Sequence, residues 1–237
     1  MKNPLILIAL SVGMLCLSGT SDAADLIHQY YFTNELSVID SVGTADGVLQ
    51  GGATISNGAL NLNGSGQFVQ FSTYLIPSGT NSYGVSLTVT DNAPTALAEI
   101  ISQGGKSGGG PFYIGTAGAN IRLTDQHQGT GITMPTGLTT LLYLFTQGDQ
   151  RFYINGNLVF TGSGNYTMDS GGTYTRLGAQ FDGFGEYWNG TISQVKIYNN
   201  ITASDLATGA VPEPSTYALI GIGALALMVA HRRKVAQ

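Results

Sequence analysis

Apolar and polar side chains alternate along most of this chain in short runs, and Gly, Asn, Asp and Ser interrupt them every few positions. A two-residue period of this kind places one face of a strand inward and the other in water. Residues 85–90 show it cleanly, with Val85, Leu87 and Val89 against Ser86, Thr88 and Thr90. Residues 59–71, ALNLNGSGQFVQF, predict a hairpin: Leu60 and Leu62 lead into Gly64-Ser65-Gly66, and Phe68, Val69 and Phe71 return. Residues 151–160, RFYINGNLVF, predict another, because Asn155-Gly156 favours a type I′ turn between Ile154 and Leu158. Further strands are predicted at 27–32, 98–102, 112–115, 120–125, 139–145, 176–177 and 188–198. In the last of these, Ile192, Gln194, Lys196 and Tyr198 alternate against Ser193, Val195 and Ile197. Residues 34–52 read as polar turn chemistry, and only 202–207 reads as a helical turn. The expectation is an all-β domain: a two-sheet antiparallel sandwich of the jelly-roll kind.

The ends have a different pattern. Lys2, an apolar run over 5–17 and the small, polar stretch 18–24 have the layout of a secretory signal peptide over residues 1–23, with cleavage expected after Ala23. Cys16 falls within the apolar run, preceded by Met14 and Leu15, and is read as part of that leader and not as a lipidation site. At the other end, residues 211–237 carry Val211, Pro212, Glu213 and Pro214, then an uncharged stretch over 215–230, then His231, Arg232, Arg233 and Lys234. As a single transmembrane helix that stretch would span roughly 24 Å at 1.5 Å per residue, with the basic cluster on the cytoplasmic side. The order Pro-Glu-Pro, apolar run, Arg-Arg-Lys resembles the PEP-CTERM sorting signal of exopolysaccharide-producing Gram-negative bacteria. That resemblance implies an exosortase-type transpeptidase as partner, cleavage near Pro212–Pro214 after a transient stay in the inner membrane, and delivery to the cell surface or extracellular matrix.

Between the ends, residues 24–210 are long enough for one well-buried domain. Its only basic residues are Lys106, Arg122, Arg151, Arg176 and Lys196, against twelve acids, and the whole chain carries a net charge of −5. A chain without a basic patch has no electrostatic footprint for nucleic acid. The Gly-Lys-Ser within 103–111 lacks the first glycine of a phosphate-binding loop, since Ile100 stands there, and reads as a flexible turn.

Three blocks resemble the laminin-G-like, concanavalin A-like lectin and glucanase superfamily: GALNLNGSGQFVQF at 58–71, RFYINGNLVFTG at 151–162, and the closing strand and turn at 174–206. The resemblance implies a concanavalin A-like sandwich. It also implies a structural calcium held by acids in the opening and closing strands, but here Thr33 and Ser193 occupy those places. No cofactor is expected. A calcium would depend on backbone carbonyls and on Asp40 or Asp46, a weak set for an ion that prefers six to eight oxygens.

Glucanases of this superfamily carry their carboxylates in an E-x-D-x-x-E pattern, and none of Glu35, Glu99, Glu186 or Glu213 has acids at those offsets. Asp182 and Glu186 are the nearest acidic pair and read as a solvated loop. His28 and His127 have no second His or Cys nearby to complete a metal set, and each reads as a surface or turn histidine. No enzymatic chemistry is therefore expected, and no metal site. Sugar binding through exposed aromatics remains: Tyr113, Tyr166, Tyr174, Phe184, Tyr187 and Trp188 are the candidates. Asp182, Phe184, Tyr187 and Trp188 form the expected ligand-binding group, although Trp188 also suits a core position. The expected function is a secreted or surface-displayed, non-enzymatic lectin-like domain associated with extracellular polysaccharide. The alternative is a structural or adhesive protein that binds protein neighbours in the matrix.

Overall fold

A computed structural model describes residues 24–92, 97–105, 110–124, 130–168, 171, 173–181 and 185–209. The expected signal peptide, the 215–230 helix and the sorting residues Val211, Pro212, Glu213, Pro214, Arg232, Arg233 and Lys234 lie outside them, as do Asp182, Phe184 and His127.

Fourteen strands are described. They are β1 (Asp25–Tyr31), β2 (Gly47–Gln50), β3 (Thr54–Ser56), β4 (Ala59–Asn63), β5 (Phe68–Phe71), β6 (Tyr83–Asp91), β7 (Ala98–Gly104), β8 (Phe112–Ala117), β9 (Asn120–Leu123), β10 (Thr139–Thr146), β11 (Asp149–Ile154), β12 (Asn157–Gly162), β13 (Thr173–Leu177) and β14 (Asn189–Asn199). A short helix, α1 (Ala203–Thr208), follows. The eight-stranded sheet runs β12-β11-β10-β6-β14-β4-β3, with β1 beside β14 as well, and the six-stranded sheet runs β2-β5-β13-β7-β8-β9. All strand pairs within the sheets are antiparallel. β14 is long enough to pair with β6 along one edge while β4 takes the first half of its other edge and β1 the second.

The core is what the two-residue period placed inward. Val85, Leu87, Val89, Leu141, Ile192 and Ile197 of the eight-stranded sheet face Val69, Phe71, Ile114, Ile121, Leu123 and Leu177 of the six-stranded one. At one end Tyr83 stacks on Phe145 at 4.9 Å and meets Phe112 edge-on at 5.6 Å, a geometry aromatic rings favour.

Three expectations are corrected. Residues 59–71 are not a hairpin: β4 pairs in the eight-stranded sheet and β5 in the six-stranded one, so Gly64-Ser65-Gly66 carries the chain across the sandwich. Gly64 and Gly66 both sit at φ 75°, a conformation glycine adopts without strain. The stretch 34–52 holds a strand that the polar reading missed, β2, which pairs with β5. The alternation in β14 breaks at Ser193, where a bulge against β6 lets Ile192 and Val195, three residues apart, both point inward. The Asn155-Gly156 hairpin is as expected, with φ 49° and 79°, both positive as a type I′ turn requires.

The two outer faces differ. On the eight-stranded sheet, α1 starts in a capping box between Thr202 and Asp205, and Leu206 packs with Leu144, Tyr153, Tyr198 and Ile201 on the sheet. Tyr153 donates to the Leu206 carbonyl. The rest of that face carries small side chains such as Ser86, Thr88, Thr90 and Thr140. The outer face of the six-stranded sheet carries aromatics and long polar groups.

Candidate functional site

On β5, Val69 and Phe71 point into the core, so Phe68 and Gln70 must point out. Cross-strand pairing sets Val48 of β2 and Arg176 of β13 on either side of Gln70, and Gln50 beside Phe68. Arg176 Nε donates to Gln70 Oε1 at 2.7 Å, and its guanidinium lies 5.1 Å from the Phe68 ring. Tyr187 stacks on Phe68 with ring centroids 6.3 Å apart and planes 30° from parallel. Beside this group an open groove of about 360 Å³ is lined by Asp46, Val48, Gln50, Gln70, Ser72 and Tyr174. Tyr174 is 44 % exposed and meets Tyr74 edge-on at 4.9 Å.

Such a surface suits a neutral polyol. Aromatic faces take the apolar side of a pyranose or furanose ring, while amide, carboxylate and guanidinium groups around them meet its hydroxyls. Arg176 also donates to the Gln180 carbonyl at 2.7 Å, so the group is fixed before any ligand arrives.

Farther along the same outer face lies a charged cluster. Glu99 on β7, Arg122 on β9 and Glu186 in the loop before β14 converge, with Arg122 Nη2 donating to Glu99 Oε1 at 2.9 Å and to Glu186 Oε2. The Arg122 guanidinium lies 4.6 Å from the ring of the buried Tyr113. Glu99 is 1 % exposed, and burial first, then the Glu186 carboxylate against the opposing pull of Arg122, pushes its carboxyl up to about 9. Burial thus favours the neutral form of Glu99.

Of the predicted ligand group, Asp182 and Phe184 lie outside the described residues. Tyr187 is half-buried and stacks on Phe68. Trp188 is 1 % exposed and packs in the core, so it is not open to a ligand. Glu186 is no solvated loop acid, and His28 is no isolated histidine, since its Nδ1 lies 2.6 Å from Asp40 Oδ2. Asp40 also accepts from the backbone N–H groups of Gln29, Val42, Gly43 and Ala45. Both its oxygens thus face donors, the opposite of what a calcium would need, and Asp46 Oδ1 is itself bonded to the Asp40 N–H. Ser193 donates to the Thr88 carbonyl. Tyr166 packs on Phe145 and donates to the Pro111 carbonyl at 2.5 Å. Phe68, Gln70 and Arg176 were not singled out from the sequence, although alternation with Val69, Phe71 and Leu177 was enough to place them outward.

The model of the concanavalin A-like lectin/glucanases superfamily matches residues 63–205, which is most of the domain just described. The chain belongs to this superfamily. Residues 210–234 match the PEP-CTERM protein-sorting motif, which marks a chain for export through a membrane-anchored intermediate and for processing by exosortase. No curated protein sequence matches the chain. Among solved structures, domain 4 of AbnA, a GH43 extracellular arabinanase from Geobacillus stearothermophilus in complex with arabinotriose, aligns at 21 % identity and TM-score 0.59, covering 80 % of this chain and all of that one. The binding domain of botulinum neurotoxin DC in complex with rat synaptotagmin II aligns at 15 % identity and TM-score 0.55, covering 78 % of this chain and 50 % of the other. Trypanosoma rangeli sialidase in complex with sialic acid aligns at 17 % and TM-score 0.53, covering 77 % and 32 %. At these identities the likeness is one of fold, and this superfamily member spans about half of the neurotoxin chain and a third of the sialidase.

Proposed function

We propose that residues 24–210 form a non-enzymatic carbohydrate-binding domain that is exported, released from its 211–237 tail by an exosortase-type transpeptidase, and held at the surface or in the matrix of a Gram-negative bacterium on extracellular polysaccharide. The observation that carries this reading is the Phe68–Tyr187 stack with Arg176 and Gln70, next to the groove lined by Tyr174. Hydrolysis is the weaker account. Glu99 and Glu186 share one guanidinium, and Glu99 is buried beneath it, so no glycosidic bond reaches between the two carboxyls as acid and nucleophile chemistry requires.

The test is retention of the full chain, purified in mild detergent, on immobilised neutral and acidic polysaccharides. Retention on at least one matrix is expected, and Tyr187→Ala, Phe68→Ala and Tyr174→Ala should each weaken it by about tenfold, the scale of one lost ring stack. No retention on any matrix would sink the binding half of the proposal. An adhesive role with protein neighbours is the second reading, favoured by Leu36, Ile39, Val42 and Val48, all exposed and close together in sequence, with Val48 lining the groove. Cross-linking that captures protein but no glycan in the matrix would select it.

A further inference from the structure

Between β13 and β14 the described residues are 178–181 and 185–188, and both pieces run beside β7, where Glu99 and Tyr187 form a parallel bridge. Their fastenings run to that strand: Gly178 N–H to the Ile100 carbonyl at 2.8 Å, Glu99 N–H to the Glu186 carbonyl at 2.9 Å, and Ser102 Oγ to the Ala179 carbonyl at 2.7 Å. Glu186 has φ 50°, a left-handed conformation uncommon for a glutamate. Its side chain adds a second fastening to the one its carbonyl makes: one carboxylate oxygen accepts from Arg122 and the other from Gln180 Nε2 at 3.3 Å. The next residue is Tyr187, the upper ring of the stack on Phe68.

The charge count beneath this loop is uneven. Two carboxyls meet one guanidinium, at a place where Arg122 is 6 % and Glu99 1 % exposed as side chains. A net negative charge is costly there, and one proton removes it. Glu99 Oε2, the oxygen not bonded to Arg122, is buried with no hydrogen-bond partner among the described residues, a setting that disfavours its charge. We propose that Glu99, Arg122 and Glu186 form a proton-dependent latch: one proton on the carboxyl pair keeps Glu186 on Arg122, pins residues 185–188 and positions Tyr187 against Phe68, and losing that proton in alkali frees them. The elevated Glu99 carboxyl, about 9 through burial first and the Glu186 charge after Arg122, agrees with this. The other charged or titratable groups of the described residues facing the latch are Tyr113 from β8, Arg176 from β13 and Tyr187 on the loop itself. Glu99, Arg122 and Glu186 are positioning residues. Their consequence for glycan binding rests on the function proposed above, whereas the latch itself does not.

Trp188 is the only tryptophan of the chain, is buried, and ends this loop, so its fluorescence reports the latch without any ligand. The full chain in mild detergent is titrated from about pH 6 to about pH 10.5, reading acrylamide quenching of Trp188, far-UV circular dichroism and hydrogen exchange. Quenching should rise about threefold with a midpoint near pH 9, with the dichroism unchanged and faster exchange confined to 185–188 and the Glu99 amide. Glu99→Gln keeps a neutral acceptor for Arg122 and should hold the segment closed throughout. Glu186→Ala, which leaves Arg122 without that acceptor, should make Trp188 accessible already at neutral pH. The proposal is overturned if the wild-type chain shows no loop transition in this range, or if Glu99→Gln passes through it at the same pH, which would assign it to a tyrosine. The exchange measurement on the wild-type chain decides the matter without any variant. Retention on a polysaccharide matrix should follow the same profile, falling about tenfold across the transition in wild type and staying level in Glu99→Gln. Because the fluorescence arm contains no glycan, failure of retention alone overturns the binding reading and not the latch.

Discussion

Replacing Asp40 by alanine should destabilise the domain by releasing the turn that follows β1. Asp40 Oδ1 accepts from Gln29 N at 3.1 Å, Val42 N at 3.2 Å and Gly43 N at 3.0 Å, and Oδ2 from Ala45 N at 3.2 Å and His28 Nδ1 at 2.6 Å. The carboxylate thus holds the 40–45 turn against β1. Val42 is exposed, so its N–H turns to water at little cost, but Gln29 is buried and its N–H does not. A bond to a charged acceptor contributes ~1.5–3 kcal/mol and an orphaned buried donor costs ~1–3 kcal/mol, so one of each gives about 4 kcal/mol. For a domain of this size that lowers Tm by roughly 8–16 °C.

The pH dependence has a definite sign. Burial would raise the Asp40 carboxyl, but the bonds from His28 and from the Gly43, Gln29 and Ala45 amides outweigh it and hold it below the ordinary value of 3.8. A depressed carboxyl contributes stability that is present above its unfolded value and is lost as pH falls through its folded one. The gap between wild type and Asp40→Ala should therefore be full at neutral pH and close in acid, as pH falls below the ordinary value of 3.8. Thermal melts followed by circular dichroism at both pH values measure it. A Tm within about 2 °C of wild type at neutral pH, or a gap of the same size in acid, would refute the reasoning.

Other perturbations reach the same architecture from different sides. Gly43→Ala would place a Cβ 2.6 Å from Asp40 Oδ2 and 2.9 Å from the Ile27 carbonyl, and should reproduce most of the Asp40→Ala loss of Tm. In Gly115→Ala the Cβ would lie 2.0 Å from the Ala98 carbonyl, a backbone atom that cannot swing away, so β7 and β8 should separate locally at a cost of ~2–4 kcal/mol in chemical denaturation. Replacing Pro212, Glu213 and Pro214 together by alanine should leave the chain in the inner membrane with its tail attached. Mass spectrometry of the C-terminus after fractionation reads this, and a surface-located, shortened variant would refute it.

The strands themselves were largely legible, because each buries one face and so repeats every second residue. Which sheet a strand joins was not. Leu60 and Leu62 show the same period as Val69 and Phe71, and a Gly-Ser-Gly between them looks the same whether the chain folds back or crosses the sandwich. Pairing of β4 with β14 and of β5 with β13 involves residues more than a hundred positions away, and no local pattern encodes it. Chemistry was misread for the same reason. His28 and Asp40 are twelve residues apart and Glu99 and Glu186 eighty-seven, so each looked solitary or solvated until the fold joined them. Glu99 did carry a signal: a lone acid in the apolar run AEII has to be buried, and a buried carboxyl needs a cation or a proton.

Long-range joining through polar side chains also explains how this sandwich manages its loops. A chain with a single cysteine, Cys16, cannot tie them with an internal disulfide. Buried polar groups take that place. Gln103 on β7 holds the segment at Ile76 from both sides, accepting from its N–H at 2.9 Å and donating to its carbonyl at 2.7 Å, and it accepts from Thr175 Oγ1 of β13 at 2.5 Å. Thr175 Oγ1 in turn accepts from Leu75 N at 2.9 Å. Asp40 fastens the turn after β1, and Arg122 the loop before β14. A net hydrogen bond is worth ~1 kcal/mol, less than the ~2–4 kcal/mol of a disulfide, so each loop needs several, and several is what each has. Unlike a disulfide, such a fastening follows the proton. Asp40 must be charged to hold and Glu99 must be neutral, so acid loosens the turn by β1 and alkali the segment beside Phe68 on the outer face of the six-stranded sheet.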